Sequence, residues 1–88
     1  MALLNGTRMM SKEELILKAI NTPRGTVIAW FKNNQITYAL YKHRGGKKSR
    51  VSIQKDGSDV MRMKRKDTIG KYVSRLYDLN VFWEFIDG

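Results

Sequence analysis

The sequence predicts an α+β fold: a four- to five-stranded, mainly antiparallel sheet, one C-terminal-half helix packed on one face, and a short N-terminal helix. Residues 26–64 largely alternate between apolar and polar side chains, which is the period of strands. Residues 67–79 carry apolar side chains at helical spacing instead. A chain of 88 residues has room for one domain, so we expect 1–88 to form a single small basic binding domain.

The short N-terminal helix is predicted from a capping sequence. Ser11 is a suitable N-cap, and the carboxylate of Glu14, three residues later, can reach back to the Ser11 backbone. Pro23 ends the helix, because the residue before a proline avoids the helical conformation. The apolar stripe between these signals consists of Leu15, Ile16, Ala19 and Ile20. Residues 1–10 show no clear period and are interpreted as a disordered or non-native leader.

The first two strands are predicted to form a hairpin around Asn33-Asn34, because asparagine tolerates the left-handed conformation of a two-residue hairpin turn. The strands are expected at 26–32 and 35–42. This register leaves Ile28 and Trp30 on the face opposite the core. The pairs that it places on the core face are Phe31–Ile36, Ala29–Tyr38 and Val27–Leu40.

The third and fourth strands are predicted at 50–54 and 60–64. Asp56-Gly57 marks the turn between them. A two-residue turn would place Ile53 opposite Val60, whereas a three-residue loop would place Ile53 opposite Met61. We favour the second register, because it buries methionines and leaves the arginine and lysine of the fourth strand in water.

The C-terminal part of the chain predicts a second helix and a last strand. Asp67 is the predicted N-cap, and the helix is expected to end near Asn80. Its apolar stripe consists of Ile69, Tyr72, Val73, Leu76 and Leu79. Both faces of Val81–Ile86 are largely apolar, and a small domain has few interior places to cover both. We therefore predict a homodimer contact through Val81–Ile86.

Positive charge is concentrated in one stretch of the chain. The 17 Lys and Arg outnumber the eight Asp and Glu, which gives a formal net charge of +9. Ten of these cations and only two carboxylates lie in residues 42–66, so this stretch carries +8. Such a cluster repels itself and lowers the stability of the fold, which indicates a polyanionic partner.

Strand alternation predicts that many of these cations share one solvent-facing side of the sheet. Lysine and arginine there would contact phosphates, and exposed aromatic rings would stack on unpaired bases. For Trp30, a place in a second small core or an interface is an open alternative. The predicted nucleic-acid-binding residues are Trp30, Lys32, Tyr41, Lys42, Arg44, Lys47, Lys48, Arg50, Gln54, Arg62, Lys64, Arg65 and Lys66.

Patterns typical of catalysis, metal binding or membrane insertion were not found. The chain has no cysteine and one histidine, His43, with no carboxylate near it in sequence. Asp56 and Asp59 flank a turn and are interpreted as turn-forming residues. No apolar run approaches the roughly 20 residues of a membrane span. We therefore predict a cytoplasmic protein with no enzymatic activity, cofactor, metal or membrane partner.

The sequence predicts a nucleic-acid-binding protein, with DNA slightly favoured over RNA and an accessory or regulatory role. Whether the ligand is single- or double-stranded stays open. The alternative is a small basic effector or inhibitor that docks on an acidic surface of an enzyme. Both functions require a concentrated positive face, so composition does not separate them.

Overall fold

The computed structural model describes residues 7–8, 10–79 and 84–86. Its elements are β1 (Thr7–Arg8), α1 (Lys12–Asn21), β2 (Thr26–Asn33), β3 (Ile36–Lys42), β4 (Val51–Lys55), β5 (Ser58–Arg62), α2 (Ile69–Asp78) and β6 (Glu84–Ile86). The predicted α+β class is confirmed, with an antiparallel sheet and one helix in each half of the chain. Of the predicted leader 1–10, Thr7–Arg8 forms β1, and most of the rest lies outside the described residues.

The sheet is antiparallel throughout and has the strand order β1-β6-β2-β3-β4-β5. The four strands β2–β5 correspond to the predicted ones, and two short strands, β1 and β6, extend the sheet beyond β2. Residues 81–83 of the predicted dimer contact lie outside the described residues. The backbone of Glu84–Ile86 pairs with β1 on one side and β2 on the other. Dimerisation through this segment stays a prediction.

The β2–β3 hairpin turns one residue later than predicted. Asn34 and Gln35 form the turn with φ of 53° and 66°, and the ladder therefore pairs Phe31 with Tyr38 rather than with Ile36. The two rings stack with centroids 5.6 Å apart and planes at 18°. The observed register thus brings two aromatic side chains together, which the predicted pairing did not.

A β-bulge in β2 changes the predicted orientation of Ile28. The pairing skips this residue between Val27 and Ala29, so both Ile28 and Ala29 face the core. Ile28 is 2% exposed, whereas the sequence placed it on the opposite face. The alternation of apolar and polar residues does not reveal a bulge in advance. One extra residue moves every preceding side chain of the strand to the other side of the sheet.

The β4–β5 hairpin combines features of both registers considered. The turn has two residues, Asp56-Gly57, both at positive φ, so the predicted three-residue loop is wrong. Ile53 nevertheless pairs with Met61 as preferred, because a bulge at Val60 takes up the extra residue. Met61 is 40% exposed, so this register does not fully bury both methionines.

Both helix starts have side-chain caps. The predicted capping box of α1 is confirmed: Ser11 Oγ accepts from Glu14 N at 3.1 Å, and Glu14 Oε1 accepts from Ser11 N at 3.0 Å. The N-cap of α2 is Thr68, whose Oγ1 accepts from Lys71 N at 3.1 Å, and not Asp67 as predicted. Both helices therefore begin with a satisfied backbone N–H.

The Asp67 carboxylate instead forms an ion pair with Arg75 of α2. Its carboxylate accepts from the Arg75 guanidinium at 2.6 and 3.3 Å and from Lys64 N at 3.3 Å. The hydrogen bonds from Arg75 lower the pKa of the Asp67 carboxyl. The same hydrogen bonds tie the connection between β5 and α2 to the helix.

Both helices pack on the same face of the sheet. The core cluster combines Leu15 and Ala19 of α1 and Tyr72, Val73 and Leu76 of α2 with the inward side chains of β2–β4. Within the described residues, the side chains that alternate to the opposite side of these strands do not belong to this cluster. That opposite side, called the outer face below, has neither helix packed on it.

Candidate nucleic-acid interface

The outer face is built by three rows of cross-strand neighbours. Trp30, Ala39, Gln54 and Asp59 form one row; Tyr41, Ser52 and Arg62 form the next; Lys32 and Thr37 flank the first. His43 and Arg50 continue the face beyond the strand ends, where His43 N donates to Arg50 O at 2.8 Å. β4 and β5 lie side by side, as the sequence predicted, and bring Arg62 of β5 and Arg50, just before β4, to this face.

Two aromatic side chains on the outer face differ in exposure. Trp30 is 47% exposed and stands between Ala39 of β3 and Ile86 of β6 in the ladder. Tyr41 is half-buried and contacts His43 edge to face, with ring centroids 5.2 Å apart. Trp30 therefore offers the larger free ring surface.

A polar network centres on Asp59, on the outer face. Asp59 Oδ1 accepts from Ser52 Oγ at 2.8 Å and from Gln54 Nε2 at 2.9 Å, and Arg62 Nε lies 3.2 Å from Oδ2. His43 Nε2 is 2.7 Å from Ser52 Oγ and 3.5 Å from Asp59 Oδ2. Burial alone would raise the pKa of the Asp59 carboxyl, but these hydrogen bonds and neighbouring charges outweigh it and lower the pKa.

This network corrects the interpretation of Asp59 as a turn-forming residue, because its carboxylate bonds across strands. It also gives His43 a carboxylate neighbour that is distant in sequence. The arrangement is unlike a Ser-His-Asp nucleophile, since Ser52 is 1% exposed and donates to the aspartate. Within the described residues, no group of three or more His, Asp or Glu is placed to hold a metal ion.

An open cleft, called the loop cleft below, lies between residues 43–50 and β5. It has a volume of about 360 Å³. The residues that line it are His43, Gly45, Gly46, Arg50, Val51, Ser52, Asp59, Arg62 and Met63. Among the described residues, the guanidinium of Arg50 has no hydrogen-bond or ion-pair partner. The loop cleft thus has an uncommitted cation at its wall.

Arg24 anchors the loop of residues 43–50, called the basic loop below, and no pattern in the sequence predicts this role. Its guanidinium donates to Gly46 O at 2.9 Å, Lys47 O at 3.4 Å and Ser49 Oγ at 3.2 Å. Arg24 lies just before β2, outside the basic stretch. These three hydrogen bonds anchor the basic loop and, with it, one side of the loop cleft.

Lys42 does not belong to the interface, which corrects its prediction as a binding residue. It is 4% exposed, and its Nζ donates to Ala19 O at 2.9 Å and Ile20 O at 2.8 Å. These carbonyls lie in the last turn of α1, where helical partners are lacking. Lys42 lies two residues after Leu40 in β3, so both side chains point to the same side of the sheet. Because Leu40 is a core residue, this spacing indicated that Lys42 points inward.

The other predicted cations are accessible. Lys32 is exposed on the outer face, and Lys64 follows the end of β5, so alternation does not fix its side. Exposed loop positions hold Arg44, Lys47, Lys48, Arg65 and Lys66. Across residues 10–79, Arg62 is the one predicted interface cation with a carboxylate within 4.0 Å.

Comparisons with protein-family models, curated proteins and solved structures found no match. Within the described residues, neither helix has the length and apolar character needed to cross a bilayer.

Proposed function

We propose that the protein binds nucleic acid without catalysing a reaction on it, through the outer face and the adjoining basic loops, in an accessory or regulatory role. The observation that carries the proposal is a set of cations that have no carboxylate partner within residues 10–79 and lie on and around the outer face, which neither α1 nor α2 covers. Cations paired with carboxylates would gain little from a phosphate. Unpaired ones release counterions when they neutralise it.

Trp30 favours a ligand with unpaired bases. A base can stack on an indole only when it is free of its own helical stack, and such stacking contributes about 1–3 kcal/mol per base. Trp30 is nearly half exposed in the first row, on the same face as Arg62, from which β3 and β4 separate it. A single strand could thus place a base on Trp30 and its phosphates toward Arg50 and Arg62. We propose DNA as the ligand, slightly in preference to RNA.

The proposal is tested by fluorescence anisotropy with single-stranded DNA, single-stranded RNA and duplex DNA of equal length. For about four phosphate contacts, the affinity for a single strand should fall roughly 50-fold between about 50 and 200 mM salt. Polyglutamate of matched charge serves as the control for unspecific attraction and should bind more weakly than the single strands.

Absence of binding to all three oligonucleotides at about 50 mM salt would overturn the proposal. A stable complex with an acidic protein under the same conditions would then favour the alternative function, docking on an acidic enzyme surface.

A further inference from the structure

We propose that the loop cleft binds one phosphate group of the nucleic acid, and that Arg62 leaves Asp59 to contact this phosphate. The inference rests on the proposed function and deepens it, because it assigns a particular subsite to a particular chemical group. Three features carry it: the open space of the loop cleft, its two arginines and the partners that Asp59 retains.

The loop cleft is large enough to hold a phosphate group. The loop cleft has a volume of about 360 Å³, which exceeds that of a phosphate group, and its floor is formed by the buried residues Val51 and Ser52. Gly45 and Gly46 line one side, and a Cβ at Gly45 would meet nothing within 4 Å. An anion can therefore approach the loop backbone closely. The hydrogen bonds from Arg24 hold this side in position before the ligand arrives.

Two arginines can converge on the anion. Arg50 has no partner among the described residues, and the Arg62 side chain is 79% exposed with one ion-pair contact, to Asp59 at 3.2 Å. The Arg62 end of this pair is exposed, whereas the Asp59 side chain is 14% exposed and keeps its hydrogen bonds from Ser52 and Gln54 when Arg62 leaves. A guanidinium can bind phosphate through two parallel hydrogen bonds, which is the stronger interaction. The free-energy cost of replacing Asp59 by phosphate as the partner of Arg62 is therefore low.

Asp59 does not lose its other partners when Arg62 moves. Ser52 Oγ and Gln54 Nε2 both donate to Oδ1, and His43 Nε2 lies 3.5 Å from Oδ2. The carboxylate thus keeps its place, and its negative charge remains beside the bound anion. Asp59 acts as a resident counter-charge that weakens phosphate binding at this subsite.

The test is the substitution Asp59→Asn, which removes the charge and keeps an oxygen that can accept from Ser52 and Gln54. The matched control is Asp56→Asn, which changes the net charge equally at the far end of β4. Asparagine tolerates the positive φ of 52° at position 56. We expect D59N to bind single-stranded DNA roughly fivefold to tenfold more tightly than the parent, and D56N to change the affinity less than about twofold.

Two arms distinguish the source of the phosphate. A gain with both 5′-hydroxyl and 5′-phosphorylated strands supports an internal phosphodiester, and a gain with the phosphorylated strand alone supports a terminal phosphate. Equal affinities of D59N and D56N for both strands would overturn the subsite, while binding by the parent would leave the proposed function standing. If D59N does not fold, Arg50→Gln is compared with Lys18→Gln. A selective loss of about fivefold or more in R50Q is then expected, and equal losses would overturn the subsite.

Discussion

The double reversal R50E/R62E is expected to abolish measurable binding of single-stranded DNA at about 150 mM salt, a loss of roughly 100-fold or more. Each substitution removes a phosphate contact and adds a repulsive charge at the outer face. Both side chains can be replaced without unfolding the domain, because Arg50 has no partner among the described residues and Arg62 is 79% exposed. The measurement is anisotropy of a labelled oligonucleotide, with circular dichroism to confirm folding.

The matched control is K18E/K71E, which makes the same change of net charge on the helical side. Lys18 and Lys71 are exposed, and neither has an ion-pair partner among the described residues. Glutamate in the last turn of α1 is slightly unfavourable and in the first turn of α2 slightly favourable, so stability should change little. We expect a loss of less than about fivefold. Equal losses in the two variants would mean that net charge, and not the outer face, governs binding.

Tyr72→Ala is expected to unfold the domain. Tyr72 is 1% exposed, belongs to the core cluster, and its hydroxyl donates to Met61 O at 2.7 Å. Truncation of a large buried aromatic side chain costs about 3–5 kcal/mol, which approaches the whole stability of a domain this small. Burial raises the pKa of the Tyr72 hydroxyl to about 12, so it stays a donor at any working pH.

Tyr72→Phe separates packing from hydrogen bonding. It keeps the ring and removes the donor to Met61, which should cost about 1 kcal/mol and leave a folded protein. Urea unfolding followed by circular dichroism measures both variants. A Y72A protein with a midpoint close to that of the parent would contradict the assignment of Tyr72 to the core.

Local patterns in the sequence were sufficient for the two helices and the four main strands, but not for β1, which lies in the predicted leader. The capping box at Ser11, the helical spacing of 67–79 and the turn residues around 33–34 and 56–57 predicted both helices and the four main strands. The register of the strands was harder to predict, because the two bulges, at Ile28 and Val60, depend on how side chains pack in the folded sheet. The periodicity of the sequence does not reveal these bulges.

The candidate site was predicted in part. Alternation correctly placed Trp30 and Arg62 on one face, since neighbouring strands fix that relation. The network around Asp59 depends on cross-strand register, and the role of Arg24 depends on the path of a loop, so neither was found. Lys42 was assigned from its charge although its parity with Leu40 pointed inward. Its burial is compensated by α1 carbonyls that only the tertiary structure brings close.

The most direct test of the outer face as the binding surface is nuclear magnetic resonance of the labelled protein during titration with single-stranded DNA. We expect shifts of the Trp30 indole N–H and of the backbone amides of Gly46, Ser52 and Arg62, with the amides of α1 and α2 nearly unchanged. Shifts confined to the exposed sides of the two helices, with the Trp30 indole unaffected, would contradict the account.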